Sequence, residues 1–519
     1  MPTVESACRR EGTLPMRFTT GWFGEPSWVV PLIVLLHLCV AVPLAFVLNI
    51  WIDEAYSLHT TGKGLGYAFD QALRFETQPP VYFLVLWGWR CLSDSIFFAR
   101  LLSIVFSAAA IVAAARASRK YFPNVHPGWL SAAVAFHPLT LYGAVEIRRY
   151  AMVLFLSALL VGIFHDAFLQ DGGKRRKYGL YGFISLVGLY TQYYIGFFLV
   201  AGAAALLVLR RWRELGRYLG VMTGVGVCFL PMLVQVSEQM SQQMPAEEAR
   251  YSIVDCLKFA VLRVLDYAIP AGLLRESEGL QREIVTLVVV AAVLVVMVRR
   301  YRDPISKEVV AVLTMTAVLT AVFAFLFSRF GLDLLKYWHT TVLLVPTLLA
   351  SFAVVMAAGK RRALAVWVVA LLLGDVYNGY LTYRSLAKPG DFSRVAEFIQ
   401  ENERPDEPIL FFVSETAEPF SHYYTGINSL VPLPRAEEFD TYDVREFALE
   451  NEEDIRLALQ NLQGRSFWLF SDSRDPCTLC NIPLNCDILE RFVATNCDVE
   501  IDRPFYLARV RYLRLKDPG

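Results

Sequence analysis

Apolar residues run along this chain in long blocks instead of alternating with polar ones. Eleven blocks stand out, at about 28–50, 96–115, 127–145, 150–169, 178–192, 194–209, 218–236, 283–298, 308–327, 337–358 and 363–383. Most approach the roughly 17–25 residues that a helix needs to cross a hydrocarbon core. The pattern predicts an α-helical multi-pass membrane protein with about eleven spans. The first run follows Arg9, Arg10 and Arg17. It exceeds the ~7–15 apolar residues of a signal-peptide core, and no small-residue cleavage site follows it. It reads as a retained first span behind a cytoplasmic N-terminus, residues 1–27.

The loops between the blocks fix a predicted orientation. Every second loop carries a basic cluster: "RASRK" (116–120), "GGKRRK" (172–177), "RRWRELGR" (210–217), "RRYRDPISK" (299–307) and "GKRR" (359–362). The opposite loops are acidic or mixed. The positive-inside rule puts the basic set in the cytoplasm. An odd number of spans then leaves the C-terminal part outside. The stretch "PPVYFLVLWGWRCL" (79–92) does not fit this count. Taken as a span, it would reverse every later loop. Its ~14 residues, with Trp87 and Trp89, suit a helix lying at the outer interface. Residues 51–95 thus form one long first external loop.

After residue 385 the pattern changes. "DFSRVAEFIQENE" has apolar residues at helical spacing, and Asp391 is placed to cap its start. "PILFFVS", "SFWLFS" and "PFYLARVRYL" read as strands. The expected domains are residues 28–385, a transmembrane unit, and 386–519, an extracytoplasmic α/β domain. A shorter polar segment, 237–282, is expected to hold one short helix.

Composition supports this and narrows it. Hydrophobic residues make up 55% of the chain, above the roughly 45–50% of soluble proteins. Lys plus Arg and Asp plus Glu number 49 each, so bulk charge gives no reason to expect a nucleic-acid partner. Four of nine cysteines, Cys477, Cys480, Cys486 and Cys497, fall in the external domain. Their spacing is irregular and no histidine flanks them, which favours disulfides over zinc. The pairing is not readable from sequence. The chain lacks Asn-x-Ser/Thr, which points to a bacterial inner-membrane protein.

The polar outliers converge on the predicted outer face. Asp53 and Glu54 follow the first span, and "RFETQPP" (74–80) sits in the first loop. "AVEIRRYAM" (144–152), "YTQYY" (190–194) and "LLKYWHTT" (334–341) are outer turns or span starts. Each has a plainer reading alone: solvated span ends, interfacial anchors, an aromatic belt, a packed histidine. Together they place acids, bases and aromatics where ionisable groups usually line a cavity.

These motifs, in this order, resemble the GT-C glycosyltransferases that use polyprenyl-phosphate sugars. The nearest branch is that of protein O-mannosyltransferases and lipid A aminoarabinose transferases. "DEAY", the acid before "PPVYF", "ARLLS", "EIRRYA", "YTQYY", "KYWHTTVLLVP" and the segment from "DFSRVAEFIQENE" to "PFSHYYTG" carry the resemblance. It implies an inverting transfer of a sugar from a lipid-linked donor to an extracytoplasmic lipid, glycan or protein. Asp53 matches the essential acid and would be the catalytic base, with Glu54 second or a helper. Arg148, Arg149 and Lys336 would hold the leaving phosphate. Tyr150, Glu146, Gln192 and His339 would contact substrate, with Glu146 orienting Arg148 or assisting the acceptor. Glu76 would be a metal-linked acid, and a divalent ion is the one cofactor the resemblance admits. Gln78 and Gln192 stand where the branch commonly has histidine, and Lys336 where it has arginine. The rivals are a transporter or flippase of lipid-linked sugars and a non-catalytic envelope scaffold.

Overall fold

A computed structural model describes residues 28–170, 175–242, 252–269, 306–330, 337–357, 361–460, 466–472, 477–479 and 482–516. Seven helices among these are long and apolar enough to cross a membrane: Val29–Val47, Ile96–Tyr121, Tyr150–Leu169, Trp212–Val236, Lys307–Arg329, Trp338–Met356 and Arg362–Tyr383. Three further apolar blocks are helical but short. The 127–145 block is broken into α6 (Gly128–Ala135) and α7 (Pro138–Ala144), because Pro138 cannot continue the ladder of α6. The other two are α9 (Arg175–Leu189) and α10 (Ile195–Val208). The 283–298 block, Cys480 and residues 1–27 lie outside the described residues.

The bundle is built around α5 (Ile96–Tyr121), which packs against α1 (Val29–Val47), α6 and α8 (Tyr150–Phe164). Its buried face is mostly small: Ala99, Ser103, Ser107, Ala110, Ala114 and Ala117. Small side chains let helix backbones approach closely where the solvent is lipid.

The first long loop is helical: α2 (Ile52–Thr60), α3 (Leu65–Arg74) and α4 (Val81–Arg90). Pro80 occupies the N-cap of α4, as the Pro-Pro pair suggests. At ten residues α4 is about 15 Å long, half of a ~30 Å hydrocarbon core. The predicted external helix within 237–282 is α12 (Ile253–Ala268).

Among the described residues, the basic loops at 116–120, 172–177 and 210–217 gather at one end. At the opposite end the Val81 N–H donates to the Tyr190 carbonyl at 3.0 Å, tying α4 to the 190–194 tip. At the basic end, Lys120 Nζ donates to Asp166 Oδ2 at 2.9 Å and Lys177 Nζ lies 3.9 Å from the same oxygen. Arg211 Nη1 donates there to the Leu169 carbonyl.

Beyond the last long helix lies a five-stranded sheet in the order β2-β1-β3-β7-β6. Its strands are β1 (Ile409–Phe412), β2 (Leu430–Leu433), β3 (Ser466–Asp472), β6 (Cys497–Phe505) and β7 (Ala508–Leu515); β4 (Thr478–Leu479) and β5 (Ile482–Pro483) pair separately. β1 runs parallel to β2 and β3, and β7 antiparallel to β3 and β6. Alternation in β1 serves two cores. Ile409 and Phe411 pack with Phe392, Val395 and Ile399 of the helix Phe392–Asn402. Leu410 and Phe412 pack with Ile455 of Glu452–Leu459 and Phe492 of Cys486–Asn496. Helices therefore cover both faces.

Two expectations need correcting here. Asp391 sits at the N-cap position of Phe392–Asn402 but makes no side-chain cap. Its φ of 47° is left-handed, and its carboxylate accepts from Arg394 Nε at 2.7 Å instead. "PFYLARVRYL" is a hairpin corner and not one strand, since the chain turns at Tyr506–Leu507 between β6 and β7. Cys477 and Cys486 form a disulfide, whereas Cys497 is free and buried.

Candidate active site

Asp53 and Glu54 open α2, where carboxylates favour the positive end of the helix dipole. Glu54 also accepts the Trp51 N–H at 3.3 Å, the reach-back half of a capping box. Successive helical residues point about 100° apart. The two acids consequently face different surroundings.

Glu54 is fully buried and fully occupied. Arg100 grips it with two bonds, Nε to Oε1 and Nη2 to Oε2, both 2.9 Å. Lys388 Nζ donates to Oε2 at 2.5 Å and the Ile147 N–H to Oε1 at 3.1 Å. Arg100 spends its other N–H groups on the carbonyls of Ala45, Leu48 and Asn49, which closes the C-terminal end of α1. Lys388 also reaches Glu146 Oε1 at 2.9 Å and the Val145 carbonyl at 2.9 Å. Glu146 Oε2 accepts from Trp51 Nε1 at 2.5 Å. Burial works to raise the Glu54 carboxyl, but Arg100 and Lys388 outweigh it and hold the group below its ordinary range. Burial and the Glu54 charge push Glu146 up to about 7, against the pull of Lys388. This cluster joins two carboxylates to two cations.

Asp53 belongs to a second cluster, with Glu76, Arg148 and Arg149. Its side chain is 28% exposed, and its Oδ2 lies 3.6 Å from Arg148 Nη2. Arg148 Nη1 donates to Glu76 Oε2 at 2.7 Å and to Ser57 Oγ at 3.0 Å. Burial raises the Glu76 carboxyl, Arg148 opposes the rise, and the Asp53 charge adds to it. Arg149 is 7% exposed and makes no hydrogen bond or ion pair with any described residue. Its guanidinium lies 6.0 Å from the Tyr150 ring centroid. Burial lowers its proton affinity. A buried cation without a counter-charge is costly.

Other polar atoms here are also unsatisfied. Glu76 Oε1, Gln78 Oε1, Tyr82 Oη, Arg148 Nε, Arg149 Nε and both amide atoms of Gln192 are buried without a hydrogen-bond partner. Native interiors leave few such groups unmatched, and a run of them marks a place for a ligand or water. Aromatic rings wall the site: Trp338 stacks on Tyr142 at 5.6 Å and meets Trp51 edge-on at 6.0 Å. His339 packs against Tyr194 at 5.9 Å.

The structure therefore brings Asp53, Glu76, Arg148, Arg149 and Tyr150 together and adds Ser57, Tyr82 and Trp338 to them. Glu146 is placed on Lys388 and Trp51, not on Arg148. Lys336 lies outside the described residues. Arg100 was visible as a cation at the head of an apolar run, whereas Lys388 carried no signal, being 334 residues from its partner.

Among the described residues, the carboxylates here are not arranged to hold a divalent cation. Such ions take several oxygen ligands. Here the Arg148 guanidinium bridges Glu76 and Asp53, and no group of three His, Cys, Asp or Glu among the described residues is arranged to hold a metal.

No family model matches the sequence, and comparison with curated proteins finds no match. Solved structures do match. ArnT from Cupriavidus metallidurans, crystallised with undecaprenyl phosphate, aligns with 92% of this chain and 97% of its own, at 16% identity and a TM-score of 0.51. The chain has a GT-C fold. An oligosaccharyltransferase from Archaeoglobus fulgidus, in complex with Zn and sulfate, aligns with 83% of this chain and 67% of its own, at 11% identity and a TM-score of 0.44. Within this fold the two charge clusters lie where the first helical loop, the 145–149 turn and the C-terminal domain meet.

Proposed function

We propose that this protein is a membrane glycosyltransferase that moves a sugar from a polyprenyl-phosphate donor to an acceptor outside the cytoplasm. The observation that carries this is the presence in one cluster of a partly exposed carboxylate, Asp53, and a buried guanidinium, Arg149, that no described residue engages. Transfer from such a donor needs both. Asp53 takes the proton from the acceptor hydroxyl as its oxygen bonds to the anomeric carbon. The bond from that carbon to the phosphate oxygen breaks, and the electron pair leaves with the lipid phosphate. Arg149 holds the departing anion with a fork matched to phosphate oxygens. Attack opposite the leaving group inverts the anomeric centre. That ArnT crystallised with undecaprenyl phosphate supports a lipid-phosphate carrier.

The roles then differ from residue to residue. Arg148 orients Asp53 and Glu76, Gln192 and Gln78 offer amides to sugar hydroxyls, and Tyr150, Trp338 and His339 wall the sugar. Glu54 and Glu146 hold the frame. No step is assigned to a metal. The face carrying α2–α4 and the C-terminal domain is taken as extracytoplasmic, in the inner membrane of a bacterium.

The test is purified protein in nanodiscs given a panel of polyprenyl-phosphate sugars and an envelope extract as acceptor. Release of polyprenyl phosphate is expected for at least one donor, and not from Asp53→Asn. If no donor is consumed while the same protein in sealed proteoliposomes moves sugar-lipid across the bilayer, the transferase reading gives way to a flippase.

A further inference from the structure

Lys388 lies just beyond the last long helix, Arg361–Tyr383, in the turn that enters the C-terminal domain. The turn is sharp. The Asp391 N–H donates to the Lys388 carbonyl at 3.1 Å, and Gly390 sits at φ +91°, where a Cβ would come 2.4 Å from the Phe392 ring. The Lys388 N–H donates to Asn49 Oδ1 at 2.8 Å. The side chain then runs inward, 6% exposed, and spends all three ammonium donors on Glu54, Glu146 and the Val145 carbonyl.

This is one of several grips on α2 from the same domain. The Ile50 N–H donates to Tyr423 Oη at 2.7 Å. Tyr56 Oη shares its one proton between Glu437 at 2.9 Å and Glu415 at 3.1 Å. His59 stacks on Phe439 at 3.8 Å and faces Glu418 at 3.4 Å. The short helix carrying Asp53 is thus held by the C-terminal domain from its approach to its last turn.

Resting on the transferase reading, we infer that Lys388 is a positioning residue for the catalytic carboxylate. By locking Glu54 and Glu146 it fixes the start of α2, and so the place of Asp53 relative to Arg148 and Arg149. The C-terminal domain is then a working part of the site. Lys388 touches none of the residues that would hold donor, so its loss changes the chemical step more than donor binding. Without it, Glu54 and Glu146 share one cation, Arg100, and the frame carries an excess negative charge. Replacing Glu146 by glutamine removes that excess.

The experiment compares wild type, Lys388→Met, Lys388→Arg and the double variant Lys388→Met/Glu146→Gln, each purified as full-length folded protein in nanodiscs. Donor turnover gives kcat and KM, and hydrogen–deuterium exchange reports on residues 50–60. Lys388→Met is expected to lose roughly 10–100-fold in kcat, the cost of a small misplacement of a reacting group. Its donor KM should stay within about twofold, and exchange should quicken over 50–60 alone. Lys388→Arg and the double variant should fall between it and wild type. Should Lys388→Met not fold, the double variant carries both measurements. The proposal is overturned if either Met variant matches wild type in kcat and exchange. It is equally overturned if kcat and KM worsen together with exchange rising throughout. If wild type consumes no donor, the transferase reading fails, and local exchange alone judges the lysine.

Discussion

The two charge clusters at the head of α2 have similar membership and opposite character. Each has two acids and two bases, and each takes one acid from the pair Asp53–Glu54. Around Glu54 every charge is answered: Arg100 uses all five N–H groups, and Lys388 all three. Around Asp53 the matching is unfinished. Asp53 stands 3.6 Å from its cation, Glu76 has a bare oxygen, and Arg149 has no partner among the described residues. A closed cluster buys rigidity, whereas an open one keeps capacity for a ligand. The difference teaches that burial of charge is by itself no sign of function. What sets the Asp53 cluster apart is what it leaves unpaired.

The sharpest way to break this comparison is to neutralise the two adjacent acids separately. Asp53→Asn should lower transfer by about 10²–10⁴-fold, the range for loss of a general base, with little change in thermal stability. Glu54→Gln should do the reverse first, destabilising the folded protein by about 3–5 kcal/mol because Lys388 and Arg100 lose their shared partner. Melting curves beside donor-turnover rates read both. Equal behaviour of the two variants would dissolve the distinction between the clusters.

Arg149→Met sharpens it next. Donor affinity should weaken about 10–100-fold, from the loss of about 1.5–3 kcal/mol of charge-assisted bonding. The ligand-free protein should melt no lower than wild type, since a buried unpaired charge has been removed. Arg100→Met, by contrast, should melt well below it. Binding of polyprenyl phosphate and thermal scans check the pair.

The smallest effect concerns the rim of α2. Burial, with Glu415 and Glu418 nearby, pushes Glu437 up to about 8, against its hydrogen bond from Tyr56. A carboxyl whose folded value is raised stabilises the fold fully below its unfolded value, near 4.5. That contribution is lost as pH climbs through about 8. Protection of residues 50–60, taken relative to intrinsic amide exchange, should therefore fall between about pH 4.5 and 8 in wild type and less in Glu437→Gln.

Much of this was legible in the chain. Three of the five basic loops meet at one end as their charges suggested, and the short run at 79–92 was read as too short to cross. Asp53, Glu76 and the Arg148–Arg149 pair were named from their places in that scheme. The resemblance ranked Asp53 ahead of Glu54, but the residues by themselves do not divide the pairs. Asp53 and Glu54 look equivalent as letters, and only the ~100° step of the helix sends them apart. Arg148 and Arg149 look equivalent too, yet one is claimed by Glu76 and the other by nothing described. Lys388 was illegible because its meaning lies in a contact across 334 residues. The hairpin at Tyr506–Leu507 was missed because the turn lacks glycine or asparagine, with Leu507 itself at φ 52°.

That 334-residue separation also sets a timetable. Ribosomes add about 5–20 residues per second, so tens of seconds pass between the making of Glu54 and of Lys388. Through that interval the first helices are present with Arg100 as the one cation on the pair Glu54 and Glu146. The frame around α2 closes late, when the far end of the chain arrives, and a nascent fragment carries Asp53 before Lys388 is there to brace the helix it opens.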